Sequence, residues 1–175
     1  MGILYTVWPL DPQANDWLRS SFGSEPGFSE QELAFSATPS RWPSRGEIRA
    51  VLEDLRGFKV DYTENGPGRG WDAFLSDGEE DGNWTLLCAN PEDNNDDVTH
   101  VHFEKGEPTL IVAVLRALAA VTGPFMLLPD IGCAPMVVST SRSVLEIVAD
   151  YCTVDTTSEK WQVLVSGAPG AGLCR

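Results

Sequence analysis

With 26 acidic and 12 basic residues among 175, the chain carries a formal net charge of −14, which disfavours binding to nucleic-acid phosphates and to anionic membrane surfaces. An apolar share of 42 % and six tryptophans exclude wholesale disorder, and the length suits one hydrophobic core rather than two. A cation, a basic protein or plain solubility remain as uses for the charge.

Residues 2–10, rich in Ile, Leu, Tyr, Val and Trp, read as a strand. Gly2 and Thr6 also match the myristoylation pattern, but no polybasic patch follows to give the second anchor, so the strand reading is kept. Asp11-Pro12 reads as an N-cap with proline at the first helical position, opening a short helix with Ala14, Trp17 and Leu18 on one face. From residue 23 to residue 43 Ser, Pro, Gly and Glu dominate. This predicts a surface excursion pinned by Phe28, Leu33 and Phe35, with one helical turn around 30–33. Ser44 and Glu47 then form a capping box, and Ile48, Val51, Leu52 and Leu55 recur at helical spacing before Gly57.

Strand-like runs follow at 58–63, 71–76, 84–89 and 98–104, joined by "ENGPGRG", "DGEEDG" and "NPEDNNDD", which are all turn chemistry. Strands so joined predict an antiparallel meander. Pro108 to about Thr122 reads as a helix that is apolar on nearly every side, with Arg116 its one charge, so other elements must cover it. Gly123-Pro124 is its stop. Two short strands at 125–130 and 134–139 come next. A second capping box at Ser143 and Glu146 leads into Val144, Ile147, Val148 and Tyr151, and a strand over 160–165 and a loose tail at 167–175 close the chain. The order predicts one α+β domain over residues 1–175, a mainly antiparallel sheet with three to four helices packed on it.

Charge concentrates between Asp77 and Asp97, where Asp77, Glu79, Glu80, Asp81, Glu92, Asp93, Asp96 and Asp97 meet no lysine or arginine. Tested as calcium loops, both halves break the pattern. Cys88 stands where the first needs its closing glutamate, and Val98 stands where the second needs its glycine. The run is therefore read as solvated hairpin turns whose charge suits a basic partner, with Trp71 and Trp84 beside them as anchors.

No catalytic residue and no cofactor are predicted. "GAPGAG" lacks the Gly-Lys-Ser/Thr ending of a phosphate loop, and no G-x-S-x-G elbow occurs. The alternative to a binding protein rests on strand alternation: His100, His102 and Glu104 share one face, a candidate metal face, and Cys88 on the preceding strand offers a Cys–His pair. The four cysteines, Cys88, Cys133, Cys152 and Cys174, form no C-x-x-C pair, and no secretory signal is visible. The expectation is reduced thiols in a cytoplasmic protein, where the sequon at Asn83 carries no meaning.

The segment "FEKGEPTLIVAVLRALAAVTGPFMLLPDIGCAPMVVS", Phe103 to Ser139, runs strand–GEP–helix–TGP–strand–strand. In this order it resembles small bacterial immunity proteins, which neutralise a cognate secreted toxin. The resemblance covers about a fifth of the chain and rests on caps and turns. It implies a cytoplasmic inhibitor that blocks a toxin by direct contact, and it carries over no functional residue. Self-association through an edge strand across a two-fold axis is a third use for such a surface.

Overall fold

The computed structural model describes residues 4–22, 40–66, 69–79, 82–92, 95–130 and 135–149. The expectations for Phe28, Leu33 and Phe35, the turn at 30–33, Tyr151, the closing strand and the tail lie outside the described residues, as do Glu80, Asp81 and Asp93.

Among the described residues seven strands build one sheet: β1 (Leu4–Pro9), β2 (Lys59–Glu64), β3 (Trp71–Ser76), β4 (Trp84–Glu92), β5 (Asn95–Gly106), β6 (Phe125–Pro129) and β7 (Met136–Val138). Their order is β2-β3-β4-β5-β1-β6-β7, and every paired neighbour is antiparallel. The predicted meander is present as β2 to β5. The strand from the start of the chain then inserts between β5 and β6. Four helices among the described residues complete the α+β fold: α1 (Pro12–Phe22), α2 (Arg45–Asp54), α3 (Pro108–Thr122) and α4 (Val144–Ala149).

β4 and β5 reach further than the sequence predicts, taking in Asn90–Glu92 and Asn95–Asp97 of the supposed turn. Cross-strand pairing is the cause: Asn90↔His100 and Pro91↔Thr99 prolong the ladder beyond the last β3 pair, Trp71↔Ala89. There β4 has one neighbour only, and a proline is tolerated on such an edge.

The helices begin where their caps predict. Ser44 Oγ accepts from the Glu47 amide while the Glu47 carboxylate accepts from the Ser44 amide, so both halves of the capping box form on α2. Ser143 and Glu146 make the same reciprocal bonds at the start of α4. α2 stops at Asp54, with Leu55 already extended, a few residues before the predicted Gly57 stop. α3 runs from Pro108 to Thr122, and Gly123 closes it at a φ of +91° that favours glycine. Leu110, Ile111, Val114, Leu115 and Leu118 are wholly buried, as the all-round apolar pattern requires. Arg116, also buried, is held by carbonyls: its Nε donates to Arg142 O at 2.7 Å and its Nη2 to Thr140 O at 3.3 Å.

Strand alternation sorts the packing into two layers. Tyr5, Val7, Trp71, Ala73, Leu75, Leu87, Ala89, Val101, Phe103, Phe125, Leu127, Met136 and Val138 pack with α2, α3 and α4 in the main core. The intervening Met126 and Val137 point the other way and form a small second cluster with Leu10, Ala14 and Leu18. α1 therefore lies across β6 and β7 on the opposite face of the sheet. Further along that face β1 to β5 present Leu4, Trp8, Phe74, Trp84, His100 and Glu104 to solvent.

Candidate functional site

β1 stays paired to β5 only from Leu4 to Thr6, opposite Glu104 to His102. From Val7 to Pro9 it pairs with β6 alone, so β1 and β5 diverge into a fork. Residues 40–44 enter this fork. Ser44 bridges Val98, the Thr99 amide donates to Pro43 O at 3.0 Å, and the Arg41 amide donates to Thr122 O at 3.0 Å. Trp42 is thereby set between the arms, its ring 6.4 Å from Trp8 on β1 and 4.5 Å from His100 on β5.

Beside this wedge lies a groove of about 870 Å³, floored by Pro9, Met126 and Leu128 and walled by Trp8, Trp17 and Trp42. The volume falls within the range of small-ligand pockets. Its polar rim is acidic. Asp11 comes from the start of α1, and Glu92 and Asp97 come from the far end of the β4–β5 hairpin. Among the described residues, Arg41 is the one basic residue lining it. Its guanidinium is committed to Glu47 through bonds of 2.9 and 2.6 Å and donates to Trp42 O at 3.1 Å. The bidentate bond raises the Arg41 pKa and holds Glu47 at about 2, below the usual 4.5. Asp11 Oδ1 accepts from the Ala14 amide at 2.7 Å, so that carboxylate also caps α1. The Ser40 hydroxyl, buried in the wall, has no hydrogen-bond partner among the described residues.

A groove lined by three indoles and three carboxylates has chemistry for an organic cation. Indole faces attract a cation through their quadrupole, and the acids supply long-range attraction. Of the sequence-predicted residues, Glu92 and Asp97 belong to the groove. The sequence marks Asp11 as a helix cap and Trp17 as part of a helix face, and it points to neither of them, nor to Trp8 or Trp42, as a site residue. Trp42 sits among Ser and Pro in what reads as a loop, and the pairing that brings β1 against β5 joins residues nearly a hundred positions apart.

The structure divides the acidic run. β4 spans nine residues between its two turns, so the 77–83 turn and the 92–97 turn lie at opposite ends of the sheet, about 26 Å apart at about 3.3 Å per residue. They are two surfaces and not one. Asp77 serves its own turn, its carboxylate accepting from the amides of Glu79 at 3.1 Å and Asn83 at 3.0 Å. A Cβ on Gly82 would collide with it, which explains the glycine. Trp84 stands at this far end, 37 % exposed, its ring 5.7 Å from Phe74.

Trp71 corrects an expectation. It is 2 % exposed, in the main core, with Tyr62 edge-on at 5.6 Å and the Arg45 and Arg49 guanidinium groups at 5.9 and 5.4 Å from its ring. It cannot anchor a partner at the surface. The alternation Trp71, Ala73, Leu75 against Asp72, Phe74, Ser76 already places it inward.

The histidine face also divides. His100 turns onto Trp42, whereas His102 lies opposite Cys88 and its Nε2 is 3.9 Å from Glu104 Oε1. One ligand atom each from Cys88, His102 and Glu104 fall within 4.8 Å of one another. As a nucleophile the thiol is poorly placed: burial first, then the neighbouring Asp72 carboxylate, push its pKa up to about 12. Among the described residues no helix is long and apolar enough to cross a membrane. Comparison of the chain with protein-family models, with curated proteins and with solved structures finds no match.

Proposed function

We propose that the protein is a non-catalytic, cytoplasmic binding protein of the immunity type, which blocks a basic toxin by direct contact. The groove is the point of engagement: a lysine or arginine side chain of the toxin enters between Trp8, Trp17 and Trp42, and Glu92 and Asp97 face its charge. The observation that carries the reading is this union of three indoles with carboxylates, where Arg41, the one basic residue lining the groove among the described residues, is already tied to Glu47. The net charge of −14 adds long-range steering toward a basic surface, and the resemblance of Phe103 to Ser139 to immunity proteins agrees with it.

The test takes a tagged full-length chain through a lysate of its source at low salt, with elution in rising salt. Each basic protein released is then expressed with the wild type, with Trp42→Ala, or with Glu92→Lys and Asp97→Lys together. The reading predicts a basic partner whose toxicity the wild type suppresses and the groove variants do not. Suppression that the groove variants retain, or capture without suppression, would overturn it.

A further inference from the structure

Away from the groove, the β4–β5 ladder places a soft donor, a borderline donor and a hard donor on one face. We infer that Cys88, His102 and Glu104 form a binding site for a zinc-type divalent cation, with three protein donors and one position open to water. The inference is independent of the groove and of any toxin.

Three observations converge on it. First, Cys88 and His102 are direct cross-strand partners, and Glu104 follows His102 by two residues, so all three side chains project to the same side. Their donor atoms fall within 4.8 Å of one another, with His102 to Glu104 at 3.9 Å. Tetrahedral zinc spaces such donors about 3.3–3.8 Å apart, so side-chain torsions need to draw them in by only about 1 Å.

Second, the backbone beside them is bent. Between Thr85↔Gly106 and Leu86↔Glu104 the register skips Lys105, which takes a φ of +62°, a conformation uncommon outside glycine. The next residue, Gly106, has a φ of +111°, and a Cβ there would collide with Trp84 O and Thr85. A bulge of this kind re-aims the side chain next to it, here Glu104.

Third, the donor set is selective. Sulfur with imidazole suits zinc and disfavours calcium and magnesium, which take oxygen almost exclusively. Asp72 on β3 is the cross-strand partner of Cys88 on its other side. On binding, the Cys88 S–H bond breaks, its electron pair stays on sulfur to form the metal–sulfur bond, and the proton leaves to solvent.

The experiment uses the full chain, reduced and stripped of metal, with Co²⁺ as an optical probe and Zn²⁺ as competitor. Because Cys133, Cys152 and Cys174 could supply thiolates of their own, a variant with all three changed to serine leaves Cys88 as the sole thiol. That variant should bind one equivalent of Co²⁺ with a near-ultraviolet thiolate-to-cobalt charge-transfer band, and Zn²⁺ should abolish the band. Adding His102→Ala or Glu104→Gln should weaken binding by more than about tenfold, and adding Cys88→Ser to the three-serine variant should remove the band. His102 is half-buried and Glu104 exposed, so these two variants leave the fold standing and can be checked by their unchanged circular dichroism. A three-serine variant without the band, or binding indifferent to both substitutions, would overturn the site. Neither result touches the groove.

Discussion

On the side of the sheet that α2, α3 and α4 cover, Leu75, Leu87 and Phe103 are wholly buried. On the other side, Phe74 and Trp84 keep 39 % and 37 % of their surface, and Trp8 keeps 50 %. The two faces come from the same strands, residue against residue, and alternation alone decides which is which. The covered face is mainly apolar, interrupted by the buried Thr85 and Thr99, and supplies the stability of the fold. The uncovered face mixes indoles, carboxylates, a thiol and two imidazoles, and it holds both the groove and the Cys88 cluster. With α1 on that face packed over β6 and β7, the part over β1 to β5 is left, among the described residues, to take chemistry that a core would not tolerate.

The largest effect that tests this division belongs to the covered face. Leu118→Ala on α3 removes a wholly buried side chain from between elements that cannot all close the gap, and should cost about 2–5 kcal/mol. Urea unfolding followed by tryptophan fluorescence measures it. A loss below about 1 kcal/mol would mean that α3 does not carry the core.

The next prediction concerns Cys88, which breaks the pattern by being buried although its neighbours on that face are open. Its pKa of about 12, raised from 9.0 mainly by burial, lowers the thiolate fraction at pH 7 by about a thousandfold. In the variant with Cys133, Cys152 and Cys174 changed to serine, alkylation of the folded protein should be slower than that of the urea-unfolded chain by more than about tenfold, since the higher nucleophilicity of a high-pKa thiolate offsets part of its lower fraction. Comparable rates would show an accessible, ordinary thiol and would revive the nucleophile reading.

The boundaries of α3 were legible in the sequence because they are local. Proline at the first position and glycine at the last each act on their own turn, and nothing distant can move them. Both capping boxes were legible for the same reason. The groove was not legible, because it depends on β1 leaving β5 after Thr6 and on residues 40–44 filling the fork, which are contacts between distant parts of the chain. The acidic run failed in between. Its composition is that of a turn, yet cross-strand pairing drew Asn90–Glu92 and Asn95–Asp97 into strands and sent its two halves to opposite ends of the sheet. The grouping of His102 with Cys88 was half visible. Alternation gives the shared face of one strand, but only register says which residue of the neighbour stands opposite.

A smaller effect belongs to the hinge of the two faces, where Arg41, Glu47 and Ser44 tie the fork segment to α2. Glu47→Gln should cost about 1 kcal/mol at neutral pH through the lost cap and the lost bidentate pair, both of them partly exposed to solvent. The sign with pH follows from the pKa. Because Glu47 in the folded chain sits at about 2, below its ordinary 4.5, its contribution is present above about pH 4.5 and fades as the pH falls toward 2. The difference in unfolding free energy between wild type and Glu47→Gln should therefore shrink across that interval. A difference that stays constant from pH 6 to pH 2 would show that the charge on Glu47 contributes nothing to stability, through Arg41 or through the cap.

The smallest expected effect is the sharpest test of the comparison, because it contrasts two consecutive residues. Leu75 is wholly buried under the helices, and Phe74 stands on the open face against Trp84. Phe74→Ser removes more apolar surface from the chain than Leu75→Ala does. Even so, it should cost less than about 1 kcal/mol, the scale of one cross-strand pair, while Leu75→Ala should cost about 2–5 kcal/mol. If chain composition governed stability, the order would be reversed. Equal losses would mean that the outer face is packed as tightly as the inner one. The groove and the Cys88 cluster would then lie under a second core instead of at a surface that meets partners and ions.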